Sequence, residues 1–596
     1  MHRFIIFLKE FQIPKKNEIL KTIKSFTKKE LSLFFLILSV SLISLIVILV
    51  KINKHFLVEV PSSGGTITEG IIGTPVLINP ILAISDADKD LTSIVYSGLM
   101  RRNEYGEYIP DLASSYEISE DGKTYTFYLK ENLKFHDGEK LDADDIIFTI
   151  EKIKDPLIKS PRKSNWDGVE VSKVDDMTIS FKLSEPYISF MDNTTIGILP
   201  EHLWKNVGTQ EFSLSNLNMR AIGTGPYKIV SVSKNKDGVP EMYKLKYFKN
   251  FSLKIPHIKY FIIKTYSNEK DLIKALESGD IDQAGGISPK NIDASQYKIN
   301  TATLSRNFSL FLNENKNKNF SDPNVILAID KAINKQKIID DVLNGYGTPI
   351  NNPVPEYLTK NEIPYENNYD PEESIKLLNK SGWHLNENGV MEKGGTEIVE
   401  KTKKVGKKTV TEKVKVDNGP VVELSFSITT GDTPELRATV ASIQESLLKI
   451  GIKVDINKIY ETGQLSQTIR NREYEALFFG QIISHESDLY SYWHSSQRGD
   501  PGLNIAMANS KNYDLLLENI QKILSLETRI PEYKKFAEEF EKNPKAVVIY
   551  SPTYIYISSK NINNKLINTL NNPSDRFNLI YEWYAKKDLV WKIFTK

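Results

Sequence analysis

Residues 31–50 (LSLFFLILSVSLISLIVILV) run without a charge, and their only polar groups are the hydroxyls of Ser32, Ser39, Ser41 and Ser44. A helix of that length spans about 30 Å, the thickness of a bilayer's hydrocarbon core. Beyond it the hydrophobic pattern breaks into short periodic runs. Apolar and polar residues alternate in GTITEGII (65–72), KTYTFYLKENLKF (123–135), MTISFKLSEP (177–186) and HIKYFIIKTY (257–266), which predicts strands between Gly, Pro and Asp turns. Helical spacing governs DADDIIFTIEKI (142–153), NEKDLIKALESG (268–279), DPNVILAIDKAINKQKIIDDVL (322–343), PELRATVASIQESLLKIG (434–451) and SKNYDLLLENIQKILSL (510–526). Several of these open with Asp, Asn, Ser or Pro and close near Gly, as capped helices do. Interleaved strands and helices predict mixed α/β lobes, and no repeat period supports a solenoid or propeller. Segment 391–420 alternates Val, Ile and Thr with Lys and Glu around VGKK, predicting a projecting hairpin whose lysines blunt its edges.

A chain of 596 residues is expected to hold several domains. Its 77 Lys and Arg against 76 Asp and Glu leave a net charge of +1, so no global field favours nucleic acid. Within the hairpin, Glu397, Glu400, Glu412 and Asp417 interrupt the basic run and no aromatic platform accompanies it, so nucleic acid is not an expected partner. The balance hides an asymmetry. The first 50 residues hold 8 basic and 3 acidic side chains, which leaves 69 basic and 73 acidic from residue 51 onward. A basic segment (1–30) ahead of the apolar run keeps the N-terminus cytoplasmic and the bulk outside the cell membrane. The apolar run is long for a signal peptide, and KINKHFLVEV (51–60) offers no small-residue cleavage site, so an uncleaved single-pass anchor is expected. Within the basic segment, residues 4–8 and 19–26 mix apolar side chains with lysines, which fits either a helix lying on anionic lipid or a solvated topology signal. There is no cysteine, which excludes disulfides, thiolate zinc sites, a Cys nucleophile and a lipidated N-terminal cysteine.

Motifs for chemistry are missing. Asp86, Asp88 and Asp90 in SDADKD have the alternate spacing of a calcium loop, but the loop glycine and the distal glutamate are absent, so a solvated helix start is expected. His485-Glu486 is followed by no second histidine at the zincin spacing, and no G-x-S-x-G elbow occurs. In GTGPY (223–227) no Lys-Ser/Thr follows the glycines, which fit a tight turn feeding a strand. No metal, no cofactor and no enzymatic activity are expected.

Several segments, taken in order, are similar to one family, the extracellular solute-binding proteins of peptide-type ABC transporters (family 5, oligopeptide- and dipeptide-binding-like). They are GGTITEG (64–70), LTSIVYSGLMR (91–101), PDLASSYEISEDGKTYTFYLKENLKFHDGEKLDADDIIFTIE (110–151), GTGPYKIV (223–230), ALESGDID (275–282), the run 322–349 and DLYSYWHSSQ (488–497). The resemblance implies a two-lobed, periplasmic-binding-protein-like type II α/β fold with crossing strands and an extra inserted subdomain, preceded here by the transmembrane helix. Mapped onto this chain, a tether at 51–63 leads to lobe I at 64–110, 222–310 and 548–596, with the inserted subdomain at 111–221. Lobe II is expected at 311–547, carrying the Lys-rich hairpin 391–420.

The same resemblance implies a monomer that captures a peptide between the lobes and delivers it to permease subunits. An acidic residue upstream of an aromatic-rich helix would face the peptide's ammonium group; the candidates are Glu486 and Asp488. The family's Asp-Pro pairing is absent, since Leu489 follows Asp488, so the choice stays open and an N-cap role suits Asp488 as well. Tyr96, Ser97, Gly98 and Tyr227 occupy family positions near the cleft, and Tyr492 and Trp493 fit cleft-lining aromatics, with a core position for Trp493 equally compatible. His136, Asp137 and Gly138 fit a structural turn. The competing functions are the same fold with a metal chelate, haem, oligosaccharide or signal peptide as ligand, or an anchored hydrolase or chaperone.

Overall fold

A computed structural model describes residues 16–595, apart from 187–189, 360–361, 406–407, 418, 484–487 and 524–525. It divides the chain into two compact units, one of residues 1–62 with 586–596 and one of residues 63–585.

In the first unit the uncharged run lies within a single helix, Lys28–Phe56, with no buried residue. Thr27 caps it: its hydroxyl accepts from the Glu30 N–H, and the Glu30 carboxylate accepts from the Thr27 N–H at 2.8 Å, a reciprocal capping box. A shorter helix, Lys16–Lys24, precedes it. The segment 51–63, expected as a tether, holds the end of the long helix and the strand Leu57–Ser62. That strand pairs antiparallel with Lys586–Trp591, Leu57 opposite Trp591, so the C-terminal strand belongs to this unit.

The second unit is the α/β body. The alternation read at 123–135 becomes the strand Thr124–Leu129, where Tyr125, Phe127 and Leu129 are buried and the intervening residues are not. Thr178–Leu183 does the same with Ile179, Phe181 and Leu183. With Ala113–Ile118 and Val169–Asp175 they form an antiparallel four-stranded sheet. Helix Ala143–Lys154 buries Ile146, Thr149, Ile150 and Ile153, the i, i+3, i+4, i+7 stripe, in the same core. The predicted helical run 322–343 is two helices, Pro323–Ala332 and Lys335–Val342, because Asn334 leaves the helical path to cap the second through its side chain and Lys337 N–H.

A large mixed sheet joins the two lobes. The 14-residue strand Ala546–Ser559 crosses between them: its first half pairs with Arg306–Leu312, its second with Tyr297–Leu304 and Gln283–Gly285. The chain 297–312 crosses beside it, and ladder pairing lapses between Thr303↔Thr553 and Phe308↔Tyr550. There Ser551 Oγ donates to Leu304 O at 2.9 Å. The Lys-rich segment forms its hairpin, Thr396–Val405 against Lys408–Asp417.

Two polar features tie the first lobe together. Ser85 caps helix Asp86–Val95, as a helix start requires, but the expectation of a solvated acidic cluster fails: Asp88 and Asp90 are 3% and 4% exposed. Asp88 accepts the Val76 and Leu77 N–H groups, each at 2.7 Å, and Asp90 is bound by Arg576 at 2.6 and 2.7 Å. Arg576 also grips Glu69 at 2.7 and 2.9 Å, while Tyr556 and Gln283 donate to the other Glu69 oxygen at 2.6 and 3.0 Å. All three charges are buried.

His136 is the second feature and is structural, as its turn suggested. Its Nε2 lies 3.0 Å from Gly225 O and its Nδ1 accepts the Gly223 N–H at 3.3 Å, which only the neutral ring can do. Burial pushes its pKa down to about 4. Between the unfolded value near 6.5 and about 4, the unfolded chain binds a proton that the native protein refuses, so stability falls as pH drops through that window. The full contribution is about 3 kcal/mol. The stability difference between wild type and His136→Gln, from urea titrations, is expected to shift against the wild type between about pH 7 and about pH 4, and a constant difference would contradict the neutral-ring assignment.

Candidate ligand cleft

Between the lobes of the second unit lies a cavity of about 550 Å³, within the usual range for small-ligand sites. Helix Asp86–Val95 and the residue that ends it supply one wall. Lys89, Thr92, Ser93 and Tyr96 recur at i, i+3, i+4 and i+7 and line the cavity, while Ala87, Leu91, Ile94 and Val95 face the core. The segment 162–192 adds Arg162, Asn165, Trp166 and Asp192. The second lobe contributes Ile482, Asp488 and Tyr492.

The short helix Asp488–Trp493 sorts its side chains by the same periodicity. Asp488 and Tyr492, four apart, face the cavity; Leu489 and Trp493, four apart, enter the second-lobe core, where Trp493 packs on Phe540 at 4.9 Å. Tyr492 Oη donates to Ile482 O at 2.7 Å, and burial raises its pKa. Of the residues expected at the cleft, Asp488, Tyr96, Gly98 and Tyr492 therefore line it. Trp493 does not. Tyr227 is fully buried, its hydroxyl donating to Ile258 O at 3.1 Å, and Ser97 is buried and accepts from Arg101 Nη2 at 3.2 Å; both act behind the cavity wall. Glu486 lies outside the described residues.

The glycines around the cleft matter because backbone approaches them. A Cβ on Gly98 would sit 2.5 to 2.7 Å from the main chain of Thr195 and Ile196. In GTGPY, Gly223 and Gly225 have ordinary φ, contrary to a need for flexibility; a Cβ on Gly225 would meet Ile94 O at 2.5 Å, where the Gly225 N–H donates to Val95 O at 2.8 Å. Gly225→Ala is expected to cost about 1–3 kcal/mol, read from the urea midpoint.

The electrostatics are balanced in an informative way. Arg101 pairs with Asp111 at 2.7 Å, and Arg102 pairs with Asp192 and donates to Tyr108 Oη at 3.0 Å. Arg162 differs: among the described residues no group hydrogen-bonds or ion-pairs with its guanidinium. Burial lowers its pKa, partly offset by Asp575 and Asp192. Asp575 is held by the N–H groups of Asn571 and Asn572 at 2.9 and 3.0 Å. Thr92 Oγ1 and Tyr96 Oη are buried at the wall and bond to no described group. Cations from the first lobe, Lys89 and Arg162, thus face a carboxylate from the second, Asp488. Lys89 and Thr92 were not among the residues expected at the cleft; the signal that could have found them is their i, i+3 spacing with Tyr96 on one helix face. Arg162, in PRK after an irregular stretch, carried no local signal.

Comparison with known proteins fits this geometry. The family model "Bacterial extracellular solute-binding proteins, family 5 Middle" matches residues 107–501. The oligopeptide-binding protein AppA of Bacillus subtilis is 25% identical over 551 residues, 88% of this chain and 93% of AppA. AppA solved with a nonapeptide superposes with a TM-score of 0.64 at 24% identity, covering 88% of this chain and all of AppA (100%). NikZ from Campylobacter jejuni, solved with Ni(L-His), gives 0.64 at 25% identity over 87% of this chain and 99% of NikZ. The matched family is one of solute-binding proteins, and AppA is named for oligopeptide binding, not for an enzymatic activity. With most of its globular part matched, the chain belongs to the bacterial extracellular solute-binding proteins of family 5.

Proposed function

We propose that helix Lys28–Phe56 holds the protein in the cell membrane with its N-terminus cytoplasmic, and that the cleft captures short peptides for delivery to ABC permease subunits. The observation that carries the peptide reading is the cavity's charge arrangement. A peptide is a zwitterion, and the cleft is lined by a second-lobe carboxylate, Asp488, and on the first-lobe side by the guanidinium of Arg162, with which no described group pairs. Charge-assisted hydrogen bonds at both ends would be shorter and stronger than neutral ones. A ligand spanning both lobes also supplies the differential contacts that make closure about the crossing strands favourable. The anchor reading is supported by the unbroken helix and by the side chains of its last turns, which the C-terminal strand uses.

Calorimetry on the full chain in nanodiscs tests this with a tripeptide bearing free termini, its N-acetylated form and its C-amidated form. Each cap is expected to weaken binding about tenfold or more. Equal affinity for all three would remove the charge assignment, and binding of none across a set of peptides would remove the peptide reading.

A further inference from the structure

The C-terminal strand ends where a membrane would begin. The apolar run stops at Val50, and at about 1.5 Å per residue Asn53 stands about 4.5 Å and Phe56 about 9 Å further out. A headgroup layer is about 5–7 Å deep on each side. Trp591 is fixed at the outer part of that layer by two contacts, one within it and one at its edge: its indole N–H donates to Asn53 Oδ1 at 2.7 Å, and its ring stacks on Phe56 with centroids 5.7 Å apart. Strand Lys586–Trp591 runs antiparallel to the strand leaving the helix, so its chain heads back toward the apolar run. The turn that follows presents Ile593 and Phe594, each 75% exposed, next to Lys592. Lys51 and Lys54 lie on the adjoining helix turns. Among the described residues of this unit nothing covers the two apolar side chains.

Resting on the anchor reading above, we propose that Trp591, Ile593 and Phe594 insert into the outer headgroup and upper acyl region of the bilayer, as a second membrane contact beside the anchor helix. Aromatic rings with a polar edge favour this layer, and Lys51, Lys54 and Lys592 are placed to meet lipid phosphates. The strand pair of the first unit is then held from both sides, the helix that leads into it lying in the hydrocarbon and its return strand in the interface.

The chain has no cysteine, so single introduced cysteines can be labelled without background. Ile593→Cys and Phe594→Cys, each with Ile37→Cys inside the anchor and Leu157→Cys on the exposed body as references, would carry nitroxides in the full chain in phosphatidylethanolamine–phosphatidylglycerol nanodiscs. Relaxation by oxygen relative to a water-soluble nickel chelate reads depth. Ratios at 593 and 594 are expected between those at 37 and 157, with loss of that intermediate value at 593 on Trp591→Ala. Water-like ratios at 593 and 594 with a lipid-like ratio at 37 overturn the interfacial contact alone; a water-like ratio at 37 overturns the anchor, and the contact with it.

Discussion

Replacing Arg576 with methionine is expected to destabilise the second unit by about 3–5 kcal/mol, because removing one member of a buried ion cluster leaves its partners charged and uncompensated. Glu69 and Asp90 would remain buried with only Tyr556 and Gln283 to serve Glu69. The loss would be structural before it was functional. Arg576 binds the strand Thr66–Ile72 and the helix Asp86–Val95 through these carboxylates, and Tyr556 links them to the crossing strand. Arg576→Lys should recover only part of the loss, since one ammonium cannot reproduce the fork that meets two carboxylates. Urea unfolding of both variants checks this; a change below about 1 kcal/mol for Arg576→Met would mean that the cluster adds nothing beyond packing.

The second large effect concerns binding. Arg162→Ala is expected to weaken a peptide with a free C-terminus by about 2–5 kcal/mol, the range for removing one partner of a desolvated charge pair. It should leave the C-amidated peptide almost unaffected, because the lost interaction was already absent there. Asp488→Asn should mirror this, penalising a free N-terminus and sparing the acetylated form. Calorimetry over the two-by-two set of variants and peptides measures the coupling directly. Equal penalties on free and capped peptides would assign Arg162 to shaping the cavity, not to recognising a carboxylate.

How far the sequence could be read follows from the range of each interaction. Strand Thr124–Leu129 and helix Ala143–Lys154 were legible because a local period of two or 3.6 decides which side chains a nearby core takes. The helix break at Asn334 was missed because a capping side chain reads as one more polar residue in a helical run. Asp90 looked solvated because its partner, Arg576, is 486 residues away in the chain. The cleft shows the same limit. Asp488 and Tyr492 could be separated from Leu489 and Trp493 by helical spacing once the helix start was known, whereas Arg162 reaches the cavity only through the tertiary placement of the irregular segment that carries it. The family resemblance named positions 96–98 and 227 as cleft neighbours, and packing then divided them, Tyr96 and Gly98 at the wall, Ser97 and Tyr227 behind it.

The most direct test of peptide capture is native mass spectrometry of the full chain purified from the membranes of its own host, with the bound ligand released and fragmented. A family of short peptides with free termini is expected, carried by the wild type and lost from Arg162→Ala. A single non-peptide species, such as a metal chelate or a sugar acid, retained by both proteins would contradict it.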